Sequence, residues 1–131
     1  MTIFESSIII NRPVNDVYLF LADMNNHQQL MSESVTDWSS TTNDASYNVQ
    51  NMLKLSLVIE NRIENKEIII TPSGKPPFEM ELKWILLPNN NQTNVLFTIA
   101  AELNMMMKMM VSGPLQKLTD HEVQALAKAL V

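Results

Sequence analysis

Residues 103–118, LNMMMKMMVSGPLQKL, place five methionines in six positions directly before a Gly-Pro pair. Apolar residues recur at helical spacing on both sides of that pair, which predicts a long amphipathic helix. They are Leu103, Met106, Met107, Met110 and Val111, then Leu115, Leu118, Val123, Leu126, Ala127 and Leu130. Because proline lacks a backbone donor and crowds the preceding turn, we expect a kink or a restart at Pro114, with Ser112 as a cap. Residues 114–130 alone would form a rod of about 25 Å, which is enough to cross a sheet.

Seven strands are predicted ahead of this helix. TIFESSIII is the first, and six more lie between residues 33 and 103: ESVTDWSS, ASYNVQ, MLKLSLVIE, KEIIITP, PFEMELKWILL and TNVLFTIAAEL. The short polar connections between the six favour antiparallel hairpins. Apolar and polar residues alternate clearly in two of the strands, which predicts a sheet with one apolar face and one largely solvent-exposed polar face. The apolar positions are Leu53, Leu55, Leu57 and Ile59 in one, and Phe78, Met80, Leu82, Trp84 and Leu86 in the other.

Two short helices are predicted between the first strand and the rest. NRPVNDVYLFLADM has Pro13 where a helix begins, and NNHQQLM has Asn25 or Asn26 as a cap, with Leu30 and Met31 turned inward. The order is therefore strand, two short helices, six strands and a long helix. This order favours an α+β architecture in which a curved antiparallel sheet wraps around the C-terminal helix.

The composition excludes several classes of protein. The 131 residues indicate one domain, 1–131, with 46% apolar residues and a net charge of −5. This charge disfavours nucleic acid and anionic membrane surfaces as partners. The chain has no cysteine, which excludes disulfides and thiolate chemistry. It also has no apolar run of membrane-spanning length. With no signal-peptide pattern at MTIFESSIII, we expect a cytoplasmic protein without stable membrane insertion.

Three segments carry a resemblance to a known family. FESSIIINRPVNDVYLFLADMNNHQQLM is similar to the first strand, proline-initiated helix and Asp-containing inter-helix segment of the START-like superfamily. VTDWSSTTNDASYNVQNMLKLSLVIE resembles its next three strands, and residues 72–118 resemble its later hairpin and helix start. The superfamily is also called SRPBCC or birch-pollen-allergen-like. The chain looks most similar to its small bacterial members, labelled polyketide cyclase/dehydrase or lipid-transport proteins.

The resemblance implies the helix-grip fold, with about seven antiparallel strands and an apolar ligand cavity. It implies no single reaction, because the fold hosts lipid carriers, hormone receptors, cyclases, ring-hydroxylase subunits and chaperone activators. One departure concerns the long helix, where the family pattern has a proline near Met105 and this chain has methionine.

The sequence contains no catalytic signature, and we assign no catalytic residue, metal ligand or cofactor. His27 and His121 are expected to be solvated surface residues. A thioether copper site at the methionines is disfavoured because no histidine or cysteine lies nearby. Glu122 projects near the middle of the helix stripe, so it either meets the polar end of a ligand or extends to water, and we favour water.

The predicted ligand-lining residues share the inward faces of the strands and of the long helix. They are Tyr47, Leu55, Leu57, Met80, Leu82, Trp84, Met106, Met110, Leu118 and Glu122.

Three functions are compatible with this sequence. The first is binding or carrying of an apolar small molecule such as a lipid, quinone, isoprenoid or polyketide-like compound, admitted by movement of residues 24–31 or of PSGKPP. The second is a cyclase or dehydrase acting on such a ligand, with Tyr47, Asp37 or Glu122 as acid or base. The third is a protein-interaction module that docks a partner through the outer sheet face or the methionines. The oligomeric state is not specified by the sequence.

Overall fold

A computed structural model describes residues 1–131 and confirms the α+β helix-grip fold. A first strand is followed by two short helices, six strands and one long helix. The elements are β1 (Thr2–Ile10), α1 (Val14–Leu21), a 3-10 helix (Met24–Leu30), β2 (Val35–Ser40), β3 (Asp44–Val49), β4 (Leu53–Ile63), β5 (Glu67–Pro72), β6 (Met80–Asn89), β7 (Gln92–Ala101) and α2 (Met105–Ala129).

The seven strands form one sheet in the order β1-β7-β6-β5-β4-β3-β2. Every pairing is antiparallel, as the short connections predicted. Strands β2 to β7 are a meander, and β1 crosses to pair with β7 from Thr2 opposite Ala101 to Ile10 opposite Thr93. The β3–β4 turn places Gln50 and Asn51 at positive φ, and the Met52 amide closes the turn by donating to the Val49 carbonyl at 2.9 Å.

The concave face of the sheet carries the predicted apolar alternation. Side chains of β4 are buried at Leu53, Leu55, Leu57 and Ile59, and those of β6 at Met80, Leu82, Trp84 and Leu86. Trp84 lies opposite Ile68 on one neighbouring strand and Phe97 on the other. Because side chains alternate between the two faces of a strand, this register turns the whole apolar set toward one core.

Helix α2 is continuous through Pro114, so the predicted restart with Ser112 as cap is wrong. The buried positions explain the continuity, since Val111 and Leu115 are one turn apart on either side of the proline. Asn104 caps the helix through its Oδ1, which accepts a hydrogen bond of 2.8 Å from the Met107 backbone amide. No helix of the structure, the 25-residue α2 included, is long and apolar enough to cross a membrane.

The two short helices close one side of the core. Pro13 precedes α1 directly, as predicted, and α1 buries Val17 and Leu21, which are one turn apart. The 3-10 helix is capped by Asp23 rather than by Asn25 or Asn26, because the Asp23 Oδ1 accepts the Asn25 backbone amide at 2.9 Å.

Arg62 of β4 ties the short helices to the sheet. Its guanidinium donates to the carbonyls of Ala22 at 2.9 Å and Thr42 at 3.2 Å. The region before the 3-10 helix is therefore fixed against β4 and the β2–β3 turn.

Candidate functional site

The concave face of the sheet, the 3-10 helix and the buried stripe of α2 enclose one core. Eight of the ten sequence-predicted lining residues are buried in it. They are Tyr47, Leu55, Leu57, Met80, Leu82, Trp84, Leu118 and Glu122. These residues belong to β3, β4, β6 and α2. The structure therefore brings together side chains from the inward faces of four separate elements.

Met106 and Met110 do not belong to this core, and the prediction that they face inward is wrong. Their exposed fractions are 71% and 53%. The inward face of the first two turns of α2 is formed instead by Met107, which packs against the core. Met105 and Met109 are also exposed, so four of the five clustered methionines lie on the surface.

Glu122 is 2% exposed, so the prediction that its carboxyl extends to water is wrong. It lies in the middle of the buried stripe of α2, between Leu118 and Leu126, where no route to solvent is left. Its Oε2 has no hydrogen-bond partner. Burial raises the pKa of the Glu122 carboxyl from 4.5 to about 8. At neutral pH this side chain is therefore mostly an uncharged carboxylic acid.

Tyr47 is buried on the concave face of β3, and its ring stacks on Trp38 with the centroids 5.0 Å apart. Burial raises the pKa of the Tyr47 hydroxyl, and the negative charge of ionised Glu122 raises it further. The tyrosine remains a neutral hydroxyl group throughout the physiological pH range.

Trp84 lies at the centre of the core with its Nε1 unpaired. Its ring stacks on Phe97 at a centroid distance of 4.0 Å and meets the His27 ring edge-on at 6.2 Å. The indole N–H can only donate, so it requires an acceptor that the surrounding protein does not provide. Trp84 and Glu122 thus contribute the two unsatisfied buried side-chain atoms of the chain.

His27 is 2% exposed, and the prediction that it is a surface residue is wrong. Met24, His27 and Leu30 are buried at three-residue spacing, the period of a 3-10 helix, and this spacing is the signal that could have placed the histidine inside. The His27 Nε2 donates to the Leu21 carbonyl at 2.8 Å. Burial lowers the pKa of His27, which keeps the ring neutral at pH 7. His121 is exposed, as predicted.

Asp37 lies outside the core, on the edge strand β2. It has a φ of 57° and lies at an irregularity in the β2–β3 pairing. Its Oδ2 accepts a hydrogen bond of 2.7 Å from the Asn48 side chain. Asp37 is therefore no candidate acid or base for chemistry in the interior. No group of three or more His, Cys, Asp or Glu side chains could hold a metal ion.

Four pockets are present, and none is lined by Tyr47, Trp84 or Glu122. One depression, of about 320 Å³, reaches the predicted lining at Leu55 and Leu57. Residues 72–77, which include the PSGKPP segment, form its other wall. It lies where β5 has ended at Pro72 and β6 has not yet begun, so the start of β4 has no strand beside it on that side. In this structure the core is closed, and none of the pockets reaches its centre at Trp84.

The outer surface carries two apolar areas. The first is the exposed set Met105, Met106, Met109 and Met110 on α2. The second is a groove of about 550 Å³ on the outer sheet face, lined by residues that include Ile9, Leu87 and Leu96. A separate groove of about 400 Å³ lies beside the 3-10 helix; it is polar and contains His121 and Lys128. The interaction-module hypothesis rests on the two apolar areas.

Comparisons with known proteins identify the fold. No family model matches the chain, and no curated protein matches it. Solved structures do match. The KanY protein solution structure superimposes with a TM-score of 0.80 at 11% identity, covering 98% of this chain and 97% of that one. The protein XoxI from Bacillus cereus gives 0.77 at 10% identity, covering 99% and 96%. A START superfamily protein from Mycobacterium smegmatis gives 0.71 at 12% identity, covering 98% and 96%. The resemblance to the START-like superfamily is thereby confirmed at the level of the fold.

Proposed function

We propose that this START-like helix-grip domain binds or carries an apolar small molecule between its sheet and α2. The candidates are a lipid, a quinone, an isoprenoid or a polyketide-like compound. The observation that carries the proposal is the pair of unsatisfied polar atoms, Trp84 Nε1 and Glu122 Oε2, inside an otherwise apolar core. A guest with an apolar body and a polar end matches both features.

The unsatisfied atoms support a guest because they are costly in its absence. A buried polar group without a partner costs about 1–3 kcal/mol, and native cores contain few of them. A bound molecule that supplied the missing hydrogen bonds would recover that free energy. Sites of this kind are mostly apolar with a few polar groups that fix the orientation of the ligand.

The closed core requires that the guest enter through a local opening. The depression beside Leu55 and Leu57 supports an opening there, because residues 73–77 line it and the segment 73–79 belongs to no strand. This segment is held by the Ser73 amide, which donates to the Ser56 carbonyl at 2.8 Å, and at its other end by the Glu79 carbonyl, which accepts the Glu102 amide at 2.8 Å. For it to move, these two backbone hydrogen bonds must break and Phe78, which is 7% exposed in the closed core, must leave its place.

Desolvation would provide most of the affinity. At about 25 cal/mol per Å² of apolar surface, a guest that loses roughly 300 Å² gains on the order of 7 kcal/mol before entropic costs. The START superfamily likeness supports a ligand-binding fold in general.

The proposal is tested with Nile red, an uncharged fluorescent probe. We expect saturable binding at one probe per chain and a rise in the free energy of unfolding that follows mass action. Trp84→Ala should weaken binding at least fivefold, whereas Met110→Glu, on the exposed side of α2, should leave it within twofold. Non-saturable binding, or loss of binding in Met110→Glu with full binding in Trp84→Ala, would overturn the proposal.

A second function, a cyclase or dehydrase, is favoured by one observation. Glu122 is a buried acid with its pKa raised to about 8, in the same core as the neutral hydroxyl of Tyr47. A general acid is most effective when its pKa lies near the working pH. Incubation with an apolar β-hydroxyketone should then release water at a rate that falls above pH 8, and Glu122→Gln should abolish turnover while binding is retained. Equal rates in both proteins would refute the enzymatic role.

A further inference from the structure

Resting on the proposed binding function, we infer that the guest is uncharged and carries hydrogen-bond acceptors, such as a carbonyl oxygen, for the donors that the interior leaves unpaired at Trp84 and Glu122. The inference names the chemical class of the ligand. It follows from the kinds of hydrogen-bonding group that the interior leaves unused.

Trp84 determines that the guest must accept a hydrogen bond. An indole N–H has no acceptor lone pair. No neighbouring group accepts from it, because Phe97 presents only an aromatic face and the His27 ring, edge-on at a centroid distance of 6.2 Å, forms no hydrogen bond with the indole. An apolar molecule without an acceptor would leave the Trp84 N–H as unsatisfied as it is in the closed core.

Glu122 adds a second donor. Its pKa, raised to about 8 by burial, keeps the carboxyl protonated at neutral pH. Its Oε2 forms no hydrogen bond, not even with Thr119, the other buried polar residue of α2, whose hydroxyl donates to the Leu115 carbonyl at 2.7 Å. The Glu122 hydroxyl therefore also requires an acceptor from the guest.

The interior disfavours an anionic guest. The buried polar or charged residues are His27, Thr93, Thr119 and Glu122, and none of them is a lysine or an arginine. Burial lowers the pKa of His27, so its ring supplies no positive charge at pH 7. A carboxylate moved into such a core without a cation would be strongly destabilised.

A cationic guest is disfavoured for a different reason. An ammonium group could pair with ionised Glu122, but the desolvation of both charges offsets much of that attraction. It would also place a donor against the donor of Trp84. A neutral carbonyl compound, such as a ketone, a quinone or an ester, satisfies both groups without a buried charge.

The test uses four ten-carbon probes, decan-2-one, decane, decanoate and decylamine, which compete with Nile red at pH 7. Decan-2-one should bind at least tenfold more tightly than decanoate and decylamine. Trp84→Phe, which keeps an aromatic ring and removes the donor, should lower the preference for decan-2-one over decane about fivefold, the value of one net hydrogen bond. Trp38→Phe is the matched control, because the Trp38 Nε1 is already paired with the Ser40 hydroxyl at 2.9 Å.

The outcomes separate this inference from the proposed function. Tighter binding of decanoate or decylamine, or an unchanged ketone preference in Trp84→Phe, would overturn the inference and leave apolar binding intact. Saturable binding of none of the probes would overturn both. As a measurement on the unmodified protein, the Trp84 indole N–H resonance should shift downfield at saturating decan-2-one and not with decane. Absence of that shift would also overturn the inference.

Discussion

Replacement of Glu122 by glutamine should change the pH dependence of stability, because the carboxyl titrates differently in the folded and unfolded chains. Burial raises the pKa of Glu122 from 4.5 to about 8 in the folded state. Between these two values the unfolded chain releases the proton and the folded chain retains it. The free energy of unfolding therefore falls as the pH rises, by up to about 1.4 kcal/mol per pH unit. Below 4.5 and above 8 this group contributes no slope.

Glu122 dominates the window from pH 6.5 to pH 8. His27 acts in the opposite direction, because its pKa is lowered from 6.5, so its contribution rises with pH and levels off about one pH unit above that value. With the slope tapering near the folded pKa, Glu122 alone should reduce the free energy of unfolding by about 1.6 kcal/mol across this window. Glu122→Gln removes the titration and should remove that decline, whatever its effect on stability at a single pH.

The assay is urea unfolding at several pH values between 6.5 and 8, followed by intrinsic tryptophan fluorescence. Glu60→Gln is the matched control, since Glu60 is exposed on β4 and its loss should leave the slope unchanged. Parallel pH profiles for the natural protein and Glu122→Gln would refute the argument that this carboxyl is buried and uncharged.

Three further predictions concern other parts of the chain. A Ser56→Cys, Ser73→Cys double variant should form a disulfide, because the backbones of these two residues are already joined by a 2.8 Å hydrogen bond. In stopped-flow measurements the disulfide should slow Nile red association at least tenfold, and a reductant should restore the rate. Equal rates in the oxidised and reduced protein would exclude this opening. Asn104→Ala removes the α2 cap to the Met107 amide and should lower the free energy of urea unfolding by about 1 kcal/mol, and no loss would contradict the cap. Met110→Glu should change it by less than about 0.5 kcal/mol, because this side chain is exposed, and a larger loss would place Met110 in the core.

Strand faces were predictable from the sequence because a two-residue period leaves only two choices. Once Leu55 and Trp84 are assigned to apolar faces, the face of every other residue in their strands follows, and both residues are buried. The C-terminal half of α2 was predictable for a similar reason, since Leu115, Leu118 and Leu126 repeat at helical spacing. Both patterns depend only on the local spacing of apolar residues along the chain.

The wrong predictions concern residues whose burial depends on distant parts of the chain. Met106 and Met110 lie on a helical stripe, but the stripe does not reveal that the first turns of α2 leave them exposed. His27 and Glu122 are polar, and base rates place such residues at the surface. Their burial follows from how the 3-10 helix and α2 close over the sheet, and only His27, at three-residue spacing from Met24 and Leu30, had a local signal for it.

The most direct test of the central claim is the location of a bound guest, measured by intermolecular nuclear Overhauser effects. Protein with ¹³C-labelled leucine and methionine methyl groups would be saturated with decan-2-one. The account predicts contacts from the guest chain to the methyl groups of Leu55, Leu57 and Leu82 and none to those of Met105 or Met109. Contacts confined to the exposed methionines would contradict the claim that the guest lies between the sheet and α2.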